Sequence, residues 1–295
     1  MSDGVIDLSF LPPPNVVEVL SFEDILSSIL EDFKKRFSDF SAYIENEPIM
    51  KLMEAFAYRE LMLRQRVNDA ARACMVAYAT GADLDHLAMN LGVRRLVVQE
   101  GDDSAVPPVA AVMEGDGDLR RRYFLALHSL NTAGARGAYV FHAFSCPEVK
   151  DVTAVSFSPG VVTVTVLGRA GDGVPHDATV ERVREVLSAE DVRPLTDSVV
   201  VRKANVVRYG ISARLVTLPG PDAGIVLEAA RKAVESYAAG VAMIGRDVTI
   251  SGVYSALHQP GVERVILESP LQTVSVGDDS ASFCTGINLA HEVMR

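Results

Sequence analysis

Residues 48–79 read PIMKLMEAFAYRELMLRQRVNDAARACMVAYA, a helical pattern that begins at Pro48 and meets no breaker before Thr80 and Gly81. A helix of this length would extend for about 48 Å at roughly 1.5 Å per residue. Apolar residues recur along it at helical spacing and form a first stripe. The members of that stripe are Ile49, Leu52, Met53, Phe56, Leu63, Val67, Ala70 and Cys74.

A second apolar set on the same segment points in another direction. One helix with two apolar faces needs more than one packing partner. A preceding amphipathic helix, predicted from Phe22 to Phe37, can cover only one of these faces. The other face is buried either within the same chain or by another subunit, and the pattern leaves both possibilities open. The second set comprises Tyr58, Leu61, Met62, Met75 and Val76.

The character of the chain changes between Glu100 and Asp118. This stretch contains six acidic residues, no basic ones, and the pair Pro107-Pro108. Such a composition is typical of exposed segments without packed side chains. We therefore predict an exposed linker or large loop over 99–118.

The end of this acidic stretch, from Glu114 to Asp118, resembles the start of a calcium-binding loop. Such a loop requires a bidentate carboxylate at its twelfth position, where this chain has Leu125. No metal site is therefore predicted here. The basic residues that follow are expected to lie on a solvated helix face and to form exposed local ion pairs. They are Arg120, Arg121 and Arg122.

After Pro147 the apolar pattern changes from helical spacing to alternation, which is typical of β-strands. The residues around 149–167 read as a hairpin, and two strand–helix–strand units follow over 161–201 and 206–267. We predict an α+β protein with an N-terminal helical region, including a long bundle helix, followed by two small α+β modules. The predicted segments are 1–98 (helical region), 99–118 (linker), 119–204 (helices and first module), 205–275 (second module) and 276–295 (C-terminal tail).

The chain of 295 residues is acidic, with 28 Lys and Arg against 39 Asp and Glu and a formal net charge of -11. It therefore lacks the counterion release that drives binding to a phosphate backbone, and nucleic acid is not expected as a partner. Three dispersed cysteines do not suggest a disulfide framework. No segment has the length and apolarity of a membrane span or of a signal peptide, so we expect a cytosolic protein without membrane insertion.

Sequence patterns that mark common enzyme classes do not occur. The chain has no Walker loop, no Gly-x-Gly-x-x-Gly after a strand and no Gly-x-Ser-x-Gly elbow. Its histidines are dispersed, and no two cysteines have zinc-ligand spacing. Neighbouring carboxylates such as Asp83 and Asp85 are expected in any chain this acidic. We predict no catalytic, cofactor-binding or metal-binding residues and favour a structural or interaction protein.

Three passages resemble the baseplate J-like family of contractile phage tails, tailocins and related secretion machines. They are ATGADLDHLAMNLGVRR at 79–95, LRRRYFLALHSLNTAGARGAYVFHAFSCPEVKDV at 119–152, and VRPLTDSVVV at 192–201. The middle passage is the most specific, because a charged helix, a small-residue turn and an aromatic helix occur together in it. The resemblance extends over most of the chain from the first helix onward, but not beyond Ser275.

The resemblance implies that the chain is a structural wedge of a baseplate ring around the hub and spike, which relays ring opening to sheath contraction. It implies assembly in the bacterial cytoplasm and a place in the tail baseplate of the released particle. Two copies would join a smaller wedge protein in a bundle of N-terminal helices, and the C-terminal modules would contact neighbouring wedges. The long helix suits such a bundle. The candidate bundle residues are Phe56, Leu63, Val67 and Met75.

Two other classes of function stay open at this point. A peptidoglycan-degrading tail enzyme would require a cleft with a paired acid and base. A cytosolic scaffold unrelated to phage is compatible with the composition alone.

Overall fold

The computed structural model describes residues 16–38, 47–129, 136–189, 192–194, 196–217 and 223–293. Its described part contains eight α-helices and eight β-strands, which confirms the predicted α+β class. The chain divides into two compact units. Among the described residues, the smaller, helical unit contains those up to Arg95 together with 115–121, and the larger unit contains 96–114 and those from Arg122 onward.

The helical unit begins with three helices whose ends are set by local chemistry. The Oγ of Ser21 accepts a hydrogen bond from the N–H of Asp24 at 3.2 Å and so caps the first helix. Pro48 opens the second helix, where its missing N–H costs nothing. The helices are α1 (Phe22–Arg36), α2 (Pro48–Ala73) and α3 (Gly81–Met89).

Helix α2 ends at Ala73, about two turns earlier than the sequence predicts, and this part of the prediction is wrong. The residues that follow close tighter turns, such as the bond from the N–H of Tyr78 to the carbonyl of Met75 at 2.9 Å. Arg120 donates to the carbonyls of Val76 and Ala79 at 2.7 and 2.8 Å. A side chain more than forty positions away therefore satisfies carbonyls that a continuing helix would have used.

Helices α1 and α2 pack against each other through one face of α2. Ile25 of α1 is buried, and so are Met53 and Ala57 of α2. On the same face the amide of Asn68 brackets the backbone of Glu18, because its Nδ2 donates to the carbonyl at 2.9 Å and its Oδ1 accepts from the N–H at 3.0 Å. Both the nitrogen and the oxygen of the buried Asn68 amide therefore have a hydrogen-bond partner.

Helix α3 is joined to the first turn of helix α4 (Asp116–Ser129) by one arginine. Arg95 donates to Asp85 at 2.8 Å through Nε and to Asp116 at 2.7 Å through Nη2. Asp116 also accepts the N–H of Gly81 at 3.1 Å. The hydrogen bond from Arg95, followed by that from Gly81, lowers the pKa of the Asp116 carboxyl below its ordinary value.

The segment predicted as a linker is a β-hairpin, so the prediction for 99–118 is wrong in this respect. Strands β1 (Val97–Gln99) and β2 (Val112–Met113) pair antiparallel. Nearer the tip, the N–H and carbonyl groups of Asp102 and Val109 bond reciprocally at 2.8 and 2.9 Å. The acidic and proline side chains from Glu100 to Pro108 are exposed, so composition alone does not indicate the backbone pairing.

A buried ion pair follows the hairpin. Glu114 accepts from the Nη1 of Arg122 at 2.7 Å, and the two side chains are only 1% and 8% exposed. The same carboxylate oxygen accepts the N–H of Leu96 at 3.1 Å. Arg122 therefore forms a local ion pair, as predicted. The prediction that this pair is exposed is wrong. Removing one partner of such a pair typically costs about 3–5 kcal/mol.

The first α+β module forms as the alternating pattern predicts. Strands β3 (Val149–Ser158) and β4 (Val161–Gly168) pair antiparallel as a hairpin, and strand β5 (Ser198–Lys203) pairs parallel to β4. Helix α6 (Asp177–Ser188) provides the crossover that a parallel pair requires. Helix α5 (Arg136–Ala143) contacts β3 and α6. The sheet order is β3-β4-β5.

The second module is built on the same plan, with a central strand that has one antiparallel and one parallel neighbour. Its sheet order is β7-β6-β8. The apolar side chains of this sheet pack on two helices, and Ile211, Leu215, Val234 and Leu257 form part of its core. Its elements are β6 (Asn205–Thr217), α7 (Ala223–Val241), α8 (Ile250–Leu257), β7 (Val262–Ser269) and β8 (Ser280–Val293).

The segment predicted as a C-terminal tail is strand β8, and that boundary is therefore corrected. Strand β8 pairs parallel with β6 along its whole length, from Asn205 opposite Ser280 to Thr217 opposite Val293. Its Ile287 and Leu289 pack against the core of the module. The second module thus runs to the end of the described chain.

The two modules share a small buried contact. The carboxylate of Asp151 in β3 accepts the N–H of Ile244 at 2.8 Å. Ile244 also clusters with Leu167, Ala204 and Ala281, and these apolar residues come from both modules. Hydrogen bonding and apolar burial therefore hold the modules together within the larger unit.

Candidate assembly interface

Helix α2 leaves one face uncovered within the described part of the chain. The face that carries Met53 and Ala57 packs toward α1, whereas the face beside it is exposed. Phe56, Leu63 and Val67 on that face are 57%, 66% and 60% exposed. Three of the four predicted bundle residues therefore lie on one helix face and are accessible to another chain.

This apolar surface extends beyond the predicted residues. Leu52, one turn before Phe56, is half-exposed, and Met62 is exposed beside the row, whereas the exposed Tyr58 lies on another side of the helix. Single exposed apolar residues are ordinary, but a contiguous apolar patch on a soluble protein usually marks an interaction site. The first apolar stripe read from the sequence is thus largely the exposed face, while the buried face carries Met50, Met53, Ala57 and Asn68.

The fourth predicted residue, Met75, lies outside this surface. It follows the end of helix α2, is partly buried, and its carbonyl accepts the N–H groups of Tyr78 and Ala79. The early end of the helix removes Met75 from the row that contains Leu63 and Val67. The structure therefore brings three of the four residues together and separates the fourth.

Two arginines on the same helix were not singled out in the sequence analysis. Arg59 and Arg66 are exposed and lie three positions after Phe56 and Leu63, respectively. Residues three or four positions apart share a helix face, so both arginines lie in the exposed apolar row. The spacing alone would have identified them.

A second feature links two of the passages that carried the sequence resemblance. Tyr139 of α5 donates a hydrogen bond from its hydroxyl to Asp197 at 2.6 Å, and Asp197 immediately precedes β5. Burial, and then this hydrogen bond, raise the pKa of Tyr139. The phenol therefore stays protonated and acts as a structural tie between a helix and a strand.

Comparison with known proteins adds to this geometry. The models of the Baseplate J-like N-terminal domain, central domain and C-terminal domain match residues 45–102, 131–203 and 209–290, respectively. The chain is also 43% identical over 289 residues to Baseplate protein J of Escherichia phage P2, which covers 95% of this chain and 96% of that protein. This chain belongs to the baseplate J-like family. A structural role in a phage baseplate follows from that membership.

The central and C-terminal matches meet between residues 203 and 209, where the structure passes from the first module to the second. The N-terminal match contains the exposed surface of α2, and the central match contains Tyr139 and Asp197. The C-terminal match extends to residue 290 and so includes most of β8. The baseplate J-like C-terminal domain therefore uses the strand that the sequence analysis treated as a tail.

Within the described residues, no three His, Cys, Asp or Glu side chains are grouped so that they could hold a metal ion. A cleft near the junction of the two modules is lined by Lys150, Arg169 and Asp172, among others, and Asp172 is paired with Arg208. This cleft has one carboxylate in its lining rather than the pair that a glycosidase uses.

The buried thiol of Cys146 is also accounted for. Burial, with the charge of Glu148 as a smaller cause, raises the pKa of Cys146, so its thiol stays protonated near neutral pH.

In the part of the chain that the structure describes, no helix is both long enough and apolar enough to cross a membrane.

Proposed function

We propose that this chain is a wedge component of the baseplate of a contractile injection particle. In this role it assembles the ring around the hub and spike and relays ring opening to sheath contraction. Its partners are a second copy of itself, a smaller wedge protein, neighbouring wedges, and proteins of the hub and sheath-proximal layers. The proposal extends the family assignment to a particular position in the particle.

The observation that carries this proposal is the exposed apolar face of helix α2. Phe56 and Leu63 leave more than half of their surface in water, although burying a side chain of this size gains about 1.5–3 kcal/mol. A bundle with helices of other chains would recover that free energy. The exposed apolar face therefore favours a role in assembly over a role in catalysis.

The larger unit suits the transmission of movement. The buried bond between Asp151 and Ile244 joins the two α+β modules, so they would reorient as one block when the ring opens. The function requires no catalytic residue, cofactor or metal. We place assembly in the bacterial cytoplasm and the mature position in the tail baseplate of the released particle.

The test is co-expression of the chain with the products of the adjacent tail genes, followed by affinity purification and light scattering. Leu63→Asp should abolish the complex, because it places a carboxylate in the apolar face, while the α+β modules keep their fold by circular dichroism. Leu271→Asp is the matched control, since Leu271 is 74% exposed and lies in the other unit. Normal complex formation by Leu63→Asp would contradict the proposed use of α2.

A further inference from the structure

We infer that the exposed face of helix α2 selects a partner helix that carries two carboxylates one heptad apart, and that it selects against a second α2 helix. This inference rests on the proposed bundle and adds the chemistry of the partner to it. The observations that carry it are the spacing, exposure and pairing of Arg59 and Arg66.

The exposed face of α2 follows a seven-residue repeat, which we call the seam. Steps of three and four residues alternate along it, as they do between the two core positions of a coiled coil. All of its members are exposed except Ile49, which is partly buried. The first core position is occupied by Ile49, Phe56, Leu63 and Ala70, and the second by Leu52, Arg59 and Arg66.

Two successive second positions of the seam are therefore cationic. Two other basic residues of α2 have partners: Lys51 pairs with Glu54 at 3.0 Å, and Arg64 pairs with Glu60 at 2.7 Å. Among the residues that the structure describes, the side chains of Arg59 and Arg66 form no ion pair or hydrogen bond. Helix α2 thus presents an apolar row that contains two uncompensated positive charges.

A partner that covers the seam must compensate these charges. A guanidinium taken out of water without a carboxylate is costly, whereas a carboxylate can accept two parallel hydrogen bonds from it. Because Arg59 and Arg66 are seven residues apart, the matching carboxylates lie seven residues apart on a helix with the same repeat. The chemistry required is an otherwise apolar helix with Asp or Glu at two successive core positions.

The same charges oppose direct pairing of two α2 helices. In a parallel pair, the second positions face each other, so Arg59 would meet Arg59 and Arg66 would meet Arg66. In an antiparallel pair, the arginines would face apolar first positions and remain without carboxylates. Charged core residues that disfavour the wrong partner are a known source of specificity in coiled coils. Two copies of this chain would therefore meet through an intervening acidic helix rather than through α2 itself.

Measurement of self-association tests whether the seam disfavours pairing with the α2 helix of a second copy. We expect the wild-type chain not to dimerise through the seam, and we expect Arg59→Leu combined with Arg66→Leu to dimerise at least about tenfold more tightly by sedimentation equilibrium. Adding Leu63→Asp to that variant should return it to the monomer. A wild-type dimer that dissociates on Leu63→Asp would overturn the inference.

The chemistry of the partner is tested with two synthetic helical peptides of four heptads. Both carry Leu at the core positions, except at two successive second positions, which are Glu in one peptide and Lys in the other. In fluorescence anisotropy, the full-length chain should bind the Glu peptide at least about tenfold more tightly. Arg59→Glu with Arg66→Glu should invert that preference.

The matched control is Lys51→Glu with Arg72→Glu, which makes the same change in charge at exposed positions of α2 outside the seam. It should leave the preference for the Glu peptide unchanged. Equal binding of both peptides, or binding of neither, would overturn the inference. If Leu63→Asp still abolishes assembly with the tail proteins in that case, the proposed bundle stands and only the charge selection fails.

Discussion

The second α+β module and helix α2 use similar apolar side chains in opposite ways. In the module, Leu215 and Leu257 are fully buried between the sheet and helices α7 and α8. On α2, Leu63 and Phe56 lie in water along most of one helix face. The module buries its apolar residues within one chain, whereas the proposed function requires another chain to cover the exposed face of α2.

Truncation of a buried leucine and of an exposed leucine should change the free energy of unfolding of the free chain by different amounts. A buried leucine loses both its transfer free energy and its packing contacts when it is truncated. An exposed leucine has neither to lose before assembly. Substitutions in the module should therefore change the stability of the free chain, and substitutions on the outer face of α2 should change assembly only.

The largest effect is expected from deletion of the residues after Ser275. This truncation removes β8, which pairs with β6 along thirteen partner positions and packs Ile287 and Leu289 on the core. The second module should lose its cooperative unfolding transition in calorimetry, because its sheet would have only two strands over an open core. Removal of Met294 and Arg295 alone is the control and should leave that transition in place. An unchanged transition in the long truncation would show that the module is complete without β8.

A smaller effect is expected from a matched pair of leucine truncations. Leu215→Ala should lower the free energy of unfolding of the second module by about 2–5 kcal/mol, because a cavity forms in its closed core. Leu63→Ala should stay within about 0.5 kcal/mol of the wild type, since it removes only exposed surface. Urea denaturation followed by circular dichroism measures both. Comparable losses from the two substitutions would mean that the outer face of α2 is already packed in the free chain.

The comparison also explains which parts of the fold can be read from the sequence. The helices and the β3–β4 hairpin follow from patterns within a few residues, and those predictions are confirmed. The early end of α2 depends on Arg120, and the closing of the second sheet depends on β8 pairing with β6. These contacts join residues more than forty positions apart, so no local period indicates them.

The hairpin at β1 and β2 was missed for a related reason. Its strands are short, and the acidic, small and proline residues between them resemble those of a loop. The buried pair of Glu114 and Arg122 was likewise read as exposed, because a charge pattern does not report burial. Deletion of this segment can therefore not be treated as the removal of a passive linker.

The candidate interface was partly predictable. The apolar spacing of Phe56, Leu63 and Val67 places them on one face, and the structure adds that α1 covers the face beside it. Arg59 and Arg66 follow the same spacing, but a pattern of apolar residues does not include them. The seven-residue repeat, taken over every residue type, contains the charged positions of the seam.

The most direct measurement is the solvent accessibility of α2 in the free chain and in the assembled particle. Met62 is 52% exposed, lies beside the seam and is readily oxidised, so its conversion to the sulfoxide reports coverage of this face. Hydroxyl-radical footprinting with mass spectrometry should show strong oxidation of Met62 in the free chain and at least about tenfold slower oxidation in the particle, if another helix covers α2. Equal rates in the two states would contradict the assignment of α2 as the assembly surface.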